Sequence, residues 1–269
     1  MSTGRARIGV AATAPFGADV LERLAGEHDV AFLLTRPDRP RGRGRTSAPP
    51  PAKATAERLG IPVLQPARLD TDVELPADVI VAVAYGVLVP AALLDRHLWL
   101  NVHPSLLPRW RGAAPIERAI MAGDAETGVT IIRLVEELDA GPIAAQQGFA
   151  IAPEDDAGAV FGRAAAIAAE LVGSVLREPT FRPQPDDGTT YAHKISPADR
   201  WIDWARPAEE IVNLVRALSP HIGARAALDG REVIVWRARV GDAGRVEPVE
   251  VQPAGRSRMA YADFLRGVR

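Results

Sequence analysis

Seven consecutive residues, Asp78-Val79-Ile80-Val81-Ala82-Val83-Ala84, carry no polar side chain after the aspartate. A strand that is apolar on both faces has to be covered on both faces, which is the condition of a central strand in a parallel sheet. Its neighbours in sequence fit that demand. Ile8 to Ala12 and Val30 to Leu34 read as two more buried strands, with a helix between them over Ala18 to Leu24. Ala52 to Leu59 reads as a helix ending at Gly60, and Leu98 to His103 (LWLNVH) as a further strand. Buried strands separated by helices make an α/β fold with a Rossmann-like, mostly parallel sheet. Gly128 to Leu134 and Ile143 to Ile151 add two strands, and Gly158 to Leu176 spaces its apolar residues as one long amphipathic helix.

The texture changes at Phe181 to Gly188 (FRPQPDDG), whose prolines and aspartates read as a linker. Beyond it come a helix over Pro207 to Leu218, a turn at Asp229-Gly230 and a strand of alternating character from Glu232 to Val240. With 269 residues, about two domains are expected at roughly 150 residues each. The division expected is residues 1–180, a linker at 181–196, and a β-rich unit at 197–269.

The chain holds 32 basic and 34 acidic residues, a net charge of −2 that excludes a wholesale polycation. Resolved along the chain the balance is uneven, with −5 over residues 1–189 and +3 over residues 190–269. Arg36 to Arg45 (RPDRPRGRGR) alone carries five arginines against one aspartate. Its prolines and glycines predict a loop, and its charge suits phosphates or a solvated surface. The chain has no cysteine, so disulfides, thiolate zinc sites and thiol nucleophiles are excluded, and its five histidines show no metal-binding spacing. No metal is expected. The first residues carry no secretory apolar segment, and no 18-residue apolar run is free of charge, so a cytoplasmic protein without a membrane span is expected.

G-x-G-x-x-G, G-x-x-x-x-G-K-[ST] and G-x-S-x-G are all absent from the sequence, which removes three familiar chemistries. What remains sits at the end of a buried strand. Asn101 and His103 are two residues apart, so their side chains share one side of an extended segment, and Pro104 ends it. The carboxyl ends of strands are where open α/β sheets bind ligands. An Asn amide and a His can together donate to a developing oxyanion. Asp139, in a turn before Ala140-Gly141-Pro142, supplies a carboxylate that can hold an imidazolium or accept a proton. Each signal alone is also what an ordinary turn or buried polar pair would give.

The block NVHPSLLPRWRGAAPIERAIMAGDAETGVTIIRLVEELDAGPI (Asn101 to Ile143) resembles the core of the folate-dependent formyltransferases. That resemblance implies a catalytic set of Asn101, His103 and Asp139. It implies folate contacts from Ser105, Leu106, Leu107 and Pro108, and from Tyr85, Gly86, Val87 and Leu88 within AYGVLVP. Within the superfamily, TRPDRPRGRGR, GIPVLQPARL (Gly60 to Leu69) and QPAGRSRMAYADFLRG (Gln252 to Gly267) are similar to the branch that acts on methionyl-tRNA. The implied reaction moves the formyl group of 10-formyltetrahydrofolate, as co-substrate, to the free amine of methionyl initiator tRNA. Arg36, Arg39, Arg41, Arg43 and Arg45 would then meet the RNA, and a monomer is implied. An amino-sugar nucleotide N-formyltransferase and a 10-formyltetrahydrofolate hydrolase are the alternatives. Two departures stand out. Ala12 occupies a position that is glycine in the family's first turn, and the C-terminal OB-like barrel lacks its middle strands, so a smaller, open sheet is expected there.

Overall fold

The computed structural model describes residues 5–41 and 46–267. Its contacts divide the chain into two units, Met1–Arg111, Gly128–Gln147 and Gly162–Thr189 in the first, and Gly112–Thr127, Gly148–Phe161 and Thr190–Arg269 in the second. In chain order the elements are β1 (Arg7–Ala12), α1 (Pro15–Glu27), β2 (Asp29–Leu34), β3 (Arg39–Arg41), β4 (Thr46–Ala48), α2 (Pro51–Arg58), β5 (Val63–Leu64), β6 (Val79–Val83), α3 (Ala91–Arg96) and β7 (Leu98–His103). There follow β8 (Arg111–Gly112), α4 (Pro115–Met121), β9 (Glu126–Arg133), β10 (Ile143–Ala150), α5 (Ala157–Arg177), β11 (Tyr191–Ala192) and α6 (Ala208–Leu218). The chain closes with β12 (Ala224–Leu228), β13 (Arg231–Val240), β14 (Val246–Pro253), β15 (Met259–Ala260) and α7 (Tyr261–Arg266).

A seven-stranded sheet runs in the order β10-β9-β7-β6-β1-β2-β5. The pairs β2–β5, β1–β2, β1–β6 and β6–β7 are parallel, while β9 joins β7 antiparallel. The unbroken apolar run is β6, central in this order, with Ile80, Val81 and Val83 wholly buried. Each such side chain stabilises the fold by roughly 1.5–3 kcal/mol through burial. Trp99 on β7 is 1% exposed and donates its indole N–H to the Leu93 carbonyl at 3.0 Å. Helix α1 starts three residues earlier than the apolar spacing shows, because Pro15 fits a first turn whose amide needs no partner. It lies close on the sheet: a Cβ on Gly17 would stand 2.6 Å from the Val83 carbonyl oxygen and 2.8 Å from the Ala12 Cβ, so only glycine allows that approach.

One expectation needs correction. Arg36 to Arg45 is not all loop, since β3 and β4 pair antiparallel with Arg39 opposite Ala48 and Arg41 opposite Thr46. A two-stranded ribbon tolerates Pro40 because each strand has a side with no ladder to complete. Helix α5, for its part, is long and apolar enough by composition to cross a membrane, with a mean hydropathy of 1.6 over its best window. Val160, Ala164, Ala165, Ala168 and Val172 are nevertheless fully buried in the fold, so this apolar content belongs to a core helix.

The second unit carries a four-stranded sheet, β12-β13-β14-β15, in sequence order. Its hairpins are antiparallel, and Asp229 and Gly230, with φ of 47° and 71°, form the two-residue turn between β12 and β13. Among the described residues no pairing joins β15 back to β12, so the sheet is open, as the short sequence requires. Helix α6 buries Ile211, Val215 and Leu218 in a core with Val233, Val235, Val251 and Phe264. The Arg258 guanidinium stacks 3.6 Å above the Trp236 ring, which fastens the C-terminal tail to β13.

Asp199 secures the entry to this sheet. Its carboxylate accepts from the Ser196 amide at 2.8 Å and from Arg118 Nη2 at 3.0 Å. The Ser196 backbone bond, with help from Arg118 and the Ser196 hydroxyl, lowers its pKa from 3.8 to about 2. A depressed carboxylate contributes stability that is present above its unfolded value and lost as pH falls through the folded one. Asp199→Asn is therefore expected to melt lower than the parent at neutral pH, with the difference closing as pH drops from 3.8 toward about 2. Thermal melts across that range test it.

Candidate active site

Register places the site. On β7, Asn101 stands opposite Ala82 of β6 and Ile132 of β9, and His103 stands opposite Thr130. Both polar residues thus leave the carboxyl end of a buried strand on one side. Asp139 reaches them from the turn after β9. Asn101 Nδ2 donates to Asp139 Oδ1 at 3.1 Å, and His103 Nδ1 lies 3.6 Å from Asp139 Oδ2. The His103 and Asp139 side chains are only 4% and 9% exposed, so the three groups interact away from bulk water.

The histidine is oriented from its other side. Its Nε2 is 2.8 Å from the Trp110 carbonyl oxygen. A carbonyl can only accept, so Nε2 carries a proton and Nδ1 is the nitrogen that faces Asp139. Trp110 has φ of 63° and Asp139 has φ of 49°, both in the left-handed region. Such strain in non-glycine residues concentrates where surrounding structure holds a functional geometry. Here it aims a carbonyl at one edge of the imidazole and a carboxylate at the other. Gly141 makes the Asp139 turn feasible, since a Cβ there would overlap the Arg133 carbonyl oxygen.

The loop from Ser105 to Arg111 is braced from within. Ser105 Oγ donates to the Arg109 carbonyl at 2.6 Å, and the Ser105 amide donates to the His103 carbonyl at 2.9 Å. Thr130, fully buried on β9, donates to the Ser105 carbonyl at 2.6 Å and accepts from the Leu107 amide at 3.2 Å. Gln146 on β10 donates to both the Leu107 carbonyl and Thr130 Oγ1 at 2.9 Å. Ser105, Leu107 and Pro108 are buried, and Leu106 is half-buried. Thr130 and Gln146 do not stand out in the sequence, where each reads as one polar residue within a strand.

The remaining expected site residues lie elsewhere on the same unit. A cavity of about 440 Å3 is lined by Tyr85, Gly86 and Val87 together with Thr35, Arg36, Arg39, Arg68 and Leu69. Residues assigned to folate and residues assigned to RNA therefore share one cavity, which Asn101, His103 and Asp139 do not line. Burial pushes the Tyr85 phenol up to about 12, against the opposing charge of Arg36, so it keeps its proton at neutral pH. Leu88 does not line this cavity; it is 85% exposed. Arg36 is held by its backbone, whose carbonyl accepts from Gln65 Nε2 at 2.7 Å. Gln65 Nε2 also donates to Asp38 Oδ1 at 2.8 Å, and Lys53 Nζ meets Asp38 Oδ2 at 2.8 Å. Hydrogen bonds from Gln65, then Lys53, hold the Asp38 carboxyl below its ordinary pKa. Arg41 is described by its backbone in β3, and Arg43 and Arg45 lie outside the described residues.

A buried carboxylate, an imidazole whose Nδ1 faces it and a carboxamide can stabilise an oxyanion and move a proton without a covalent enzyme intermediate. Comparison with known proteins gives the family. The family model described as formyl transferase matches residues 6–176, and that of its C-terminal domain matches residues 194–247. The methionyl-tRNA formyltransferase of Roseobacter denitrificans is 41% identical over 95% of this chain and 93% of its own length. That of Halorhodospira halophila is 42% identical over 98% of this chain and 97% of its own. The structure of the Clostridium thermocellum methionyl-tRNA formyltransferase superposes with a TM-score of 0.64 at 15% identity, covering 92% of this chain and 98% of that one. The two family models follow one another in chain order, and the sequence relatives match along nearly their whole length: the chain belongs to the formyl transferase family.

Proposed function

We propose that the protein transfers the formyl group of 10-formyltetrahydrofolate to the free amine of methionyl initiator tRNA. The observation that carries the chemistry is the contact of Asp139 with both Asn101 and His103. The RNA substrate is supported by relatives of that name at 41–42% identity over nearly full length. In this reading the amine attacks the formyl carbon, and Asn101 Nδ2 and His103 Nδ1–H donate to the oxyanion that forms. Asp139 takes up the proton released by the amine. The tetrahedral adduct collapses as its bond to folate nitrogen breaks, and the proton held by Asp139 passes to that nitrogen. Ser105 to Pro108 and Tyr85 to Val87 would face the folate. Residues 1–180 would supply the catalysis, 181–196 the connection and 197–269 the shortened C-terminal domain. The protein would act in the cytoplasm as a monomer, without a membrane.

Three parallel incubations with 10-formyltetrahydrofolate test the reading: one with methionyl-tRNA, one with an amino-sugar nucleotide, and one with neither. Release of tetrahydrofolate only with methionyl-tRNA is expected. Release with the sugar alone, or with no acceptor, overturns the assignment in favour of the other transferase or the hydrolase.

For the basic stretch, replacing Arg41, Arg43 and Arg45 together is expected to raise the tRNA KM and flatten its salt dependence. Every arginine that no longer neutralises a phosphate lowers the slope of log affinity against log salt by about 0.9. KM measured at several salt concentrations reads this directly, and an unchanged slope counts against the role.

A further inference from the structure

We infer that Gln184 is a positioning residue for formyl transfer, because its carboxamide holds the backbone of the Asp139 turn and ties it to Arg111. The inference rests on the reading that Asp139 and His103 act in the reaction. Gln184 Nε2 donates to the Asp139 carbonyl at 2.7 Å and to the Gly141 carbonyl at 2.8 Å. Its Oε1 accepts from Arg111 Nε at 3.1 Å and from Arg111 Nη2 at 2.7 Å. Both amide hydrogens and both oxygen lone pairs are therefore used, which fixes the carboxamide in one orientation. Its own backbone is anchored two residues earlier, where Arg182 and Ile143 exchange amide-to-carbonyl bonds of 2.9 and 2.7 Å.

The arrangement addresses a specific difficulty. Asp139 sits at φ of 49°, in the left-handed region that non-glycine residues seldom occupy, though aspartate enters it more readily than most. The turn's carbonyls at 139 and 141 point to one side, and one planar amide group accepts both tasks. Arg111 ends the loop that also contains Trp110, whose carbonyl orients His103. Gln184 thus links the segment carrying the carboxylate to the segment that orients the imidazole. Arg111 Nη1 also lies 3.6 Å from Glu137 Oε1, but that ion pair ends on a side chain, whereas Gln184 holds the backbone at Asp139 itself.

Two variants separate this role from general stability. Gln184→Leu removes all four bonds, whereas Gln184→Glu keeps the acceptor for Arg111 and loses both donors to the turn. Both are expected to lower kcat about 10- to 100-fold, as removing a supporting hydrogen-bond partner does in preorganised sites. KM for folate and for tRNA should stay within about twofold, since neither variant removes a group that binds substrate. The second readout is the His103 ring resonance by NMR at fixed pH, assigned by its absence from the His103→Gln spectrum. It should move in both variants.

A Gln184→Glu enzyme with parental kcat and an unmoved His103 resonance overturns the inference. So does a loss of activity that tracks a lower Tm while the resonance stays in place. Should the parent protein fail to formylate methionyl-tRNA, the functional reading falls, and the resonance alone still decides whether Gln184 positions the site.

Discussion

Asp139→Asn is expected to keep its fold and lose about 10²- to 10⁴-fold in turnover, the usual contribution of a positioned acid–base group. The substitution isolates the charge. Asparagine is the residue best able to replace aspartate at φ of 49°. The bonds from Gln184 go to backbone carbonyls, so they survive the change. Asn101 Nδ2 can still donate to the new side-chain oxygen at the position of Oδ1. What disappears is the anion facing His103 Nδ1 at 3.6 Å, and with it the proposed acceptor for the amine proton. Steady-state formation of tetrahydrofolate, alongside thermal melts and folate titration, measures the three consequences separately. Turnover within about tenfold of the parent would remove Asp139 from the chemistry and leave Asn101 and His103 to act alone.

The residues whose role follows from periodicity are legible in the sequence. Asn101 and His103 announce themselves because a buried strand should not contain them, and a spacing of two fixes their common side. Asp139 can be placed in a turn by Gly141 and Pro142. That this turn returns to β7 is not legible, because antiparallel docking of β9 on β7 depends on register rather than composition. Trp110 is invisible for a plainer reason, since its contribution is a backbone carbonyl.

Gln184 illustrates the deeper limit. Its segment, FRPQPDDG, reads as a linker because proline and aspartate disfavour regular elements. Those residues do keep it out of long helices and strands. They say nothing of what an irregular segment touches, and this one supplies four hydrogen bonds at the candidate site. Gln65 follows the same logic, being a polar residue beside a two-residue strand whose amide joins Arg36 to Asp38. The arginine-rich stretch shows the converse. Proline and glycine correctly mark irregular backbone, yet β3 and β4 pair because a ribbon of two strands asks for only half of each strand's bonds. Local chemistry names the turn formers, and only the folded chain names their acceptors.

Asn101→Ala should leave folate affinity near the parent's and cost about 10²–10³ in kcat, the usual loss for one oxyanion donor. Alanine fits β7, where the ladder to Ala82 and Ile132 is made by backbone atoms. The side chain is half-buried and makes a single bond within the protein among the described residues, to Asp139 at 3.1 Å. Its removal therefore takes away a donor without opening the core. A donor that meets only the oxyanion acts in the transition state, so on the proposed role the loss belongs in kcat, with both KM values little changed. Asn101→Asp sharpens the test, since it puts a second carboxylate where Asn101 now lies 3.1 Å from Asp139. Two carboxylates so close repel each other's charge, so the pKa of one is raised. That variant should be at least as impaired as alanine near neutral pH and should recover part of its activity as pH falls, when a protonated carboxyl can donate again. Parallel pH–rate profiles of the two variants decide it: an alanine enzyme with near-parental kcat, or an aspartate enzyme whose deficit does not narrow in acid, removes Asn101 from the oxyanion site.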